Sequence, residues 1–199
     1  MKIYINTKLQ QLYNKISKNT MLIETFDTVG KYGPGLIFII SIYLLYKNPI
    51  LVTTYTIGYI LNILFNFLLK GIVRFPRPNE NMKKFEAEMR LNNHITLNRF
   101  GMPSGHAQTM LYSLVFVSFA LLSTKNKVKG INTSQNWIAL MVILSIITLA
   151  QRVHFLWHSF AQIFVGSIIG ALVGYGFFYY SQIRIRGSLT VKEEQWAPF

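Results

Sequence analysis

Three short clusters in this chain hold residue types suited to handling a phosphate. The first is Lys70-Gly-Ile-Val-Arg74-Phe-Pro-Arg77-Pro78. Lys70, Arg74 and Arg77 stand at i, i+4 and i+7, so a helix would carry all three cations on one face. A guanidinium donates two parallel hydrogen bonds to a phosphate, which makes arginine a natural partner. A cationic stop at a membrane boundary would use the same residues. The second cluster is Gly101-Met-Pro-Ser104-Gly105-His106, placed before an apolar run. A helix starting there offers unpaired N–H groups and the positive end of its dipole to an anion. Ser104 adds a hydroxyl, Gly105 permits close approach, and His106 can protonate a leaving oxygen. An ordinary cap beside an interfacial histidine is the plainer alternative. The third cluster is Gln151-Arg152-Val-His154-Phe-Leu-Trp-His158-Ser-Phe-Ala-Gln162. Ionisable groups at the edge of a membrane span are costly unless used. His158 and Gln162 are four residues apart, so the amide can reach the imidazole on a helix. His154 and His158 share that spacing and look like a metal pair, but no Glu, Asp or Cys lies near to complete a ligand set.

The elements that must position these clusters are long apolar runs. Of the 199 residues, 51% are hydrophobic, and they come in blocks. Crossing a bilayer takes about 20 mostly apolar helical residues. The pattern predicts an all-α integral membrane protein with five transmembrane helices in one bundle, at about 33–46, 50–69, 104–123, 137–150 and 159–180. Trp137, Tyr179 and Tyr180 fall at span ends, where amphipathic rings favour the interface. Ile5, Leu9, Leu12, Tyr13 and Ile16 recur at helical spacing among lysines, which predicts an N-terminal amphipathic helix on the membrane surface. The expected organisation is an interfacial segment at 1–32, a transmembrane domain at 33–182 and a polar tail at 183–199. Gly166, Gly170 and Gly174 repeat every four residues and predict close helix packing. No span shows a polar stripe or a broken-helix pair, which speaks against a channel or transporter. Five spans put the N-terminus, residues 70–103 and residues 151–158 on one side of the membrane.

Twenty Lys+Arg against seven Asp+Glu give a net charge of +13 and imply an anionic partner. Nucleic acid is not expected, because the cations are split among short segments and no groove-reading motif is present. Cysteine is absent, so there is no disulfide frame and no thiolate metal site. Asp27 is the only aspartate, and no carboxylate is expected inside an apolar span. That is poor material for a two-metal phosphatase, so neither metal nor other cofactor is expected. Residues 1–8 lead into polar sequence, so no cleavable signal peptide is expected.

Read in order, the clusters spell Lys-x6-Arg-Pro, Pro-Ser-Gly-His and Arg-x5-His, between Lys70 and Gln162. This combination resembles the type 2 phosphatidic acid phosphatase superfamily, the lipid phosphate phosphatases. The resemblance implies that Lys70, Arg77 and Arg152 bind the phosphate oxygens, with Ser104 and the backbone of Gly105 helping to hold them. It implies that His158 attacks phosphorus to form a phosphohistidine and that His106 protonates the leaving group. Three cations would then offset the oxygen charge that Mg²⁺ offsets elsewhere. Arg74 matches no motif position and reads as an auxiliary cation or a headgroup contact. Gln151 stands where the family usually has Ser, and Gln162 where it usually has Asp. That Asp orients the nucleophilic histidine and balances its positive form. A Gln carbonyl can accept the Nδ1–H bond but brings no charge, so the change marks either an impaired enzyme or a sub-branch. The stretch from Arg152 to Gln162, and Gly101-Met-Pro-Ser with His106-Ala-Gln108, is similar to the dolichyl-diphosphate phosphatase branch. The expectation is therefore a metal-independent membrane phosphatase acting on a polyprenyl (dolichyl-type) diphosphate or another lipid phosphate. Its partners would be that substrate and membrane lipid, with the site on the luminal or extracytoplasmic face. The alternative is an impaired relative that binds anionic lipid.

Overall fold

The computed structural model describes residues 2–91, 96–123 and 131–195, with side chains described at 20–91, 96–123 and 134–188. Six α-helices account for nearly all of it: α1 Lys2–Leu45, α2 Pro49–Val73, α3 Met82–Arg90, α4 Gly105–Ser123, α5 Ile131–His154 and α6 Phe160–Gln195. A 3-10 turn, Leu97–Arg99, precedes α4. Five stretches are long and apolar enough to cross a membrane: Thr20–Leu45, Pro49–Val73, Gly105–Ser123, Ser134–His154 and Phe160–Ser188. Helices satisfy their own backbone groups, which is what a bilayer demands of a spanning segment.

The first span differs from its sequence reading. It begins at Thr20, not near residue 33, and α1 runs unbroken from Lys2 through Pro34 to Leu45. A separate N-terminal helix is thus not shown among the described residues, and the side chains on which its amphipathic reading rests, Ile5 to Ile16, lie outside those described. Glu24 and Asp27 therefore sit inside a spanning stretch, contrary to the expectation that no carboxylate would. The tight turn after α1 is set by Asn48, whose side-chain oxygen accepts from the backbone N–H of Ile50 and Leu51 at 3.1 and 3.2 Å, with Pro49 at the first helical position. At its far end α2 continues past Lys70 to Val73. It closes on Arg74, in the left-handed region at φ 50°, whose N–H returns to the Lys70 carbonyl at 3.0 Å.

α4 is the centre of the bundle and packs against α1, α2, α5 and α6. Its closest partner is α6. A Cβ on Gly166, Gly170 or Gly174 would run into the backbone of Ser104, Gln108 or Tyr112 respectively. The glycine repeat thus fixes the α4–α6 register one turn at a time. Between α2 and α4 the contact is partly polar. Tyr55 and Ser113 hydroxyls lie 2.8 Å apart, and the Tyr112 hydroxyl donates to the Tyr55 carbonyl at 2.8 Å. Two to three turns further along α2, and one turn back along α4, Gln108 Nε2 donates to Asn62 Oδ1 at 2.9 Å, and Asn66 Nδ2 donates to Gln108 Oε1 at 2.8 Å. Lipid tails provide no hydrophobic drive between helices, so such bonds specify the pairing at about 0.6 kcal/mol each. Leu64, Leu68, Ile146, Phe164 and Leu172 are exposed on outer faces, as lipid-facing side chains should be.

The described parts of the segment between α2 and α4 are tied down by side-chain and backbone bonds. Arg99 bridges Glu80 at 2.9 Å and also pairs with Glu88 on α3. Gly101 N–H donates to the Phe75 carbonyl at 2.7 Å, so the strand-like pieces around Pro76 and Phe100 run side by side.

Candidate active site

The later part of α2, the start of α4, the end of α5 and the loop that follows it meet with Pro34 of α1 around one cavity of about 280 Å³. Lys70, Arg77, Gly105, His106, Arg152 and His158 line its polar side. Pro34, Tyr59, Ile63 and Phe67 form an apolar wall. All three sequence clusters are therefore brought together.

Lys70 is buried at 7% exposure. Arg74 is exposed: its left-handed backbone ends the helix, and its Nε donates to the Gly71 carbonyl at 2.9 Å. The expected common face of Lys70, Arg74 and Arg77 thus does not form. Arg77 instead returns to the cavity after the turn. Its guanidinium lies 5.3 Å from the centre of the Trp157 ring, and Arg152 lies over the same ring at 5.8 Å. Trp157 thus attracts both cations, by about 0.5–2 kcal/mol each. The Nε atoms of Arg77 and Arg152 are buried without a hydrogen-bond partner. Burial lowers the pKa of Arg77, while Glu80 acts the other way. Lys70, Arg77 and Arg152 have no carboxylate at ion-pair distance among the described residues, whereas Arg99 pairs with Glu80 and Glu88.

His158 sits in the short loop between α5 and α6. Leu156, at φ 56°, turns the chain there, and the N–H groups of Trp157 and His158 both return to the Arg152 carbonyl, at 3.0 and 3.1 Å. A left-handed non-glycine residue costs about 1–2 kcal/mol, and these two bonds offset it. Gln162 Oε1 accepts from Ser159 N–H at 3.1 Å and lies 3.3 Å from His158 Nδ1, while its Nε2 donates to the Pro76 carbonyl at 2.8 Å. The Pro76 bond settles which end of the amide is which. His158 Nδ1 therefore carries the proton and Nε2 keeps its lone pair. Burial, then Arg77 and Lys70, push the imidazole pKa down to about 3, so the ring is neutral at pH 7.

His106 meets Arg152 across the cavity. Arg152 Nη2 lies 2.7 Å from His106 Nε2, which is also 3.3 Å from the Lys31 carbonyl. A guanidinium only donates. That nitrogen is thus an acceptor here and cannot also donate to Lys31. Ser104 is fully buried and does not line the cavity; its hydroxyl takes the Ala107 N–H at 3.4 Å, capping α4. Gly105 does line it, with Asn66 Oδ1 close to where a Cβ would stand. His154 is exposed and packs edge-on against Phe26 and Phe155, while His158 faces the cavity, so α5 ends between the two and no histidine pair forms. Among the described residues no three His, Cys, Asp or Glu gather as a metal set.

A family model for the PAP2 superfamily matches residues 51–186. The chain belongs to the PAP2 superfamily. The match takes in every polar residue of the cavity and leaves α1 outside. The chain is 28% identical over 124 residues to the dolichyldiphosphatase of Saccharomyces cerevisiae, covering 61% of this chain and 48% of that protein. It is 25% identical over 146 residues to dolichyldiphosphatase 1 of Homo sapiens, and equally to that of Mus musculus, covering 70% of this chain and 56% of each relative. It thus spans about half the length of the relatives it matches. No solved structure matches it significantly.

Three features of this PAP2 site escape a reading of the motifs. Asn62, Asn66 and Lys70 form a buried polar stripe at i, i+4 and i+8 along α2, although no span was expected to show one. The signal is visible in the sequence as two asparagines inside an apolar run. Gln108 joins that stripe from α4, and Trp157 joins the two arginines.

Gln162 holds three positions at once, and this shapes a prediction. Gln162→Ala and Gln162→Leu should each lower turnover about tenfold, since one orienting hydrogen bond of about 1–1.5 kcal/mol converts to that factor. Gln162→Asp, the commoner PAP2 residue, should fall as well. Its shorter side chain has no N–H for Pro76 and leaves that buried carbonyl unpartnered. Phosphate release by the purified variants decides. Parent-like rates for Ala and Leu together would remove Gln162 from any supporting role.

Proposed function

We propose that the chain releases phosphate from a polyprenyl diphosphate, or a related lipid phosphate, without a metal and through a phosphohistidine. The observation that carries this reading is the lone pair of His158 Nε2, held by Gln162 in a cavity shared with Lys70, Arg77 and Arg152.

In the first step His158 Nε2 forms a bond to the terminal phosphorus as the bridging P–O bond breaks. His106 gives its proton to the departing lipid phosphate oxygen. Lys70, Arg77 and Arg152 take the charge spread over the remaining oxygens, and the α4 N-terminus at Gly105 adds its dipole. Before this step the bound phosphate draws Arg152 away from His106 Nε2, and the freed nitrogen takes up a proton from the substrate phosphate or from water. In the second step water attacks phosphorus, passes a proton to His106, and the P–N bond breaks. Inorganic phosphate leaves and both histidines are restored.

A lipid substrate suits the apolar wall. Phe67 lines the cavity yet is 45% exposed on the outer face of α2, and α1 and α2 touch only lightly. An isoprenoid chain could leave the cavity there while its diphosphate stays among the cations. The yeast and mammalian relatives, being dolichyldiphosphatases, support a dolichyl-type diphosphate, and we assign the site to the luminal or extracytoplasmic face.

Phosphate release by the purified protein from a polyprenyl diphosphate in detergent tests the reading. Release should continue unchanged in EDTA, because the cations replace a metal. Loss of activity in EDTA that Mg²⁺ restores would rule out this chemistry.

A further inference from the structure

We propose that Asp27 is a positioning residue for Arg152, acting through Gln151; the inference rests on the phosphatase reading above. Asp27 lies on α1, outside the region matched by the family model. Its Oδ1 accepts from Gln151 Nε2 at 2.7 Å. Gln151 is fully buried, so its amide has no water to turn to. With Nε2 committed to the carboxylate, Oε1 faces Arg152, whose Nη1 donates to it at 3.3 Å. Arg152 Nη2 reaches His106, and its Nε is buried and unpartnered. A chain of bonds thus runs from carboxylate to amide to guanidinium to imidazole.

The direction of this chain follows from donor chemistry. A carboxylate only accepts, so the amide must turn its NH₂ to Asp27 and its oxygen to Arg152. A flipped amide would set its own NH₂ against the guanidinium and its oxygen against the carboxylate. Asp27 therefore fixes the acceptor that holds one edge of the Arg152 fork, leaving Nη2 and Nε for phosphate. The helices are built for this approach. A Cβ on Gly30 would overlap the Gln151 side chain, and one on Gly33 would overlap Thr148. α1 comes close to α5 because small residues face it at that level.

The test uses the full chain, purified in detergent, as Asp27→Ala, Asp27→Asn, Gln151→Ala and the Asp27→Ala/Gln151→Ala double variant. The readouts are kcat, KM for a polyprenyl diphosphate, and inhibition by inorganic phosphate. Asp27→Ala should lower kcat/KM about tenfold and weaken phosphate inhibition similarly, the scale of one lost orienting bond. Asp27→Asn keeps an acceptor oxygen and should recover most of both. Gln151→Ala should match Asp27→Ala, and the double variant should be no worse than either, because both act along one path. Unchanged kcat/KM and phosphate inhibition in Asp27→Ala would overturn the inference. So would losses that multiply in the double variant, or a loss in Asp27→Ala that Asp27→Asn leaves unrepaired. His158→Ala runs beside them. If it is inactive while Asp27→Ala behaves like the parent, the positioning role alone falls; if it stays active, the phosphatase mechanism falls.

Discussion

His158→Ala should lower turnover by about 10⁴-fold or more, the scale seen when a catalytic nucleophile is removed and only binding and charge stabilisation remain. The reason is specific to this ring. Its Nδ1 proton is held on Gln162, which leaves the Nε2 lone pair free, and the residue lines the cavity. Burial and the neighbouring cations keep it neutral, with a pKa near 3, so no deprotonation step precedes attack. Protonation would begin to remove the nucleophile only several pH units below neutrality. Parent protein given a polyprenyl diphosphate labelled on its terminal phosphate should carry label on a histidine, stable to alkali and released by acid. His158→Ala should carry none. His154→Ala should stay within about twofold of the parent, as exposed substitutions away from a site usually do. Comparable losses at His154 and His158 would point back to a metal pair and away from a nucleophile.

Lys70→Ala and Arg152→Ala should each cost about 10²–10³ in kcat, the usual loss for a preorganised group aimed at developing charge. Neither cation has a carboxylate in contact among the described residues, so neither charge is spent within the protein. Lys70 is buried on α2 and cannot be replaced by a neighbour; Arg74, one turn on, faces away. Arg152→Lys should recover little. An ammonium cannot at once meet the Gln151 carbonyl, stay over Trp157 and offer two parallel bonds to phosphate. The decisive measurement is kcat and KM separately for each variant. A rise in KM with kcat intact would mean that the cations bind substrate and transition state alike, contrary to the proposal.

The helices and the clusters at their ends were legible because both are local properties. A run of some twenty apolar residues has one stable form in a bilayer, whatever surrounds it. The motif residues announce themselves by being charged beside such runs. Local reading weakened where a span mixes polarities. The first span was placed near residue 33 because Glu24, Asp27 and Lys31 interrupt its beginning, yet it starts at Thr20. Helical spacing also misled at Lys70, Arg74 and Arg77, since one left-handed residue at Arg74 turns the chain. His158 and Gln162 come within 3.3 Å, the reach their spacing predicts, although His158 lies in a loop. Gln162, in the first turn of α6, reaches back over Ser159 to meet it.

By itself the sequence determined the all-helical membrane class and the three polar clusters. Only the tertiary structure decided who partners whom. Asp27 and Gln151 are 124 residues apart, Asn66 and Gln108 are 42 apart, and Gln162 and Pro76 are 86 apart. Composition and periodicity act over a turn or two of helix, whereas each of these bonds depends on the register of packed helices. That register is set by contacts such as Gly170 against the Gln108 backbone and Gly30 against Gln151. There a displacement of one residue would rotate every polar group out of reach.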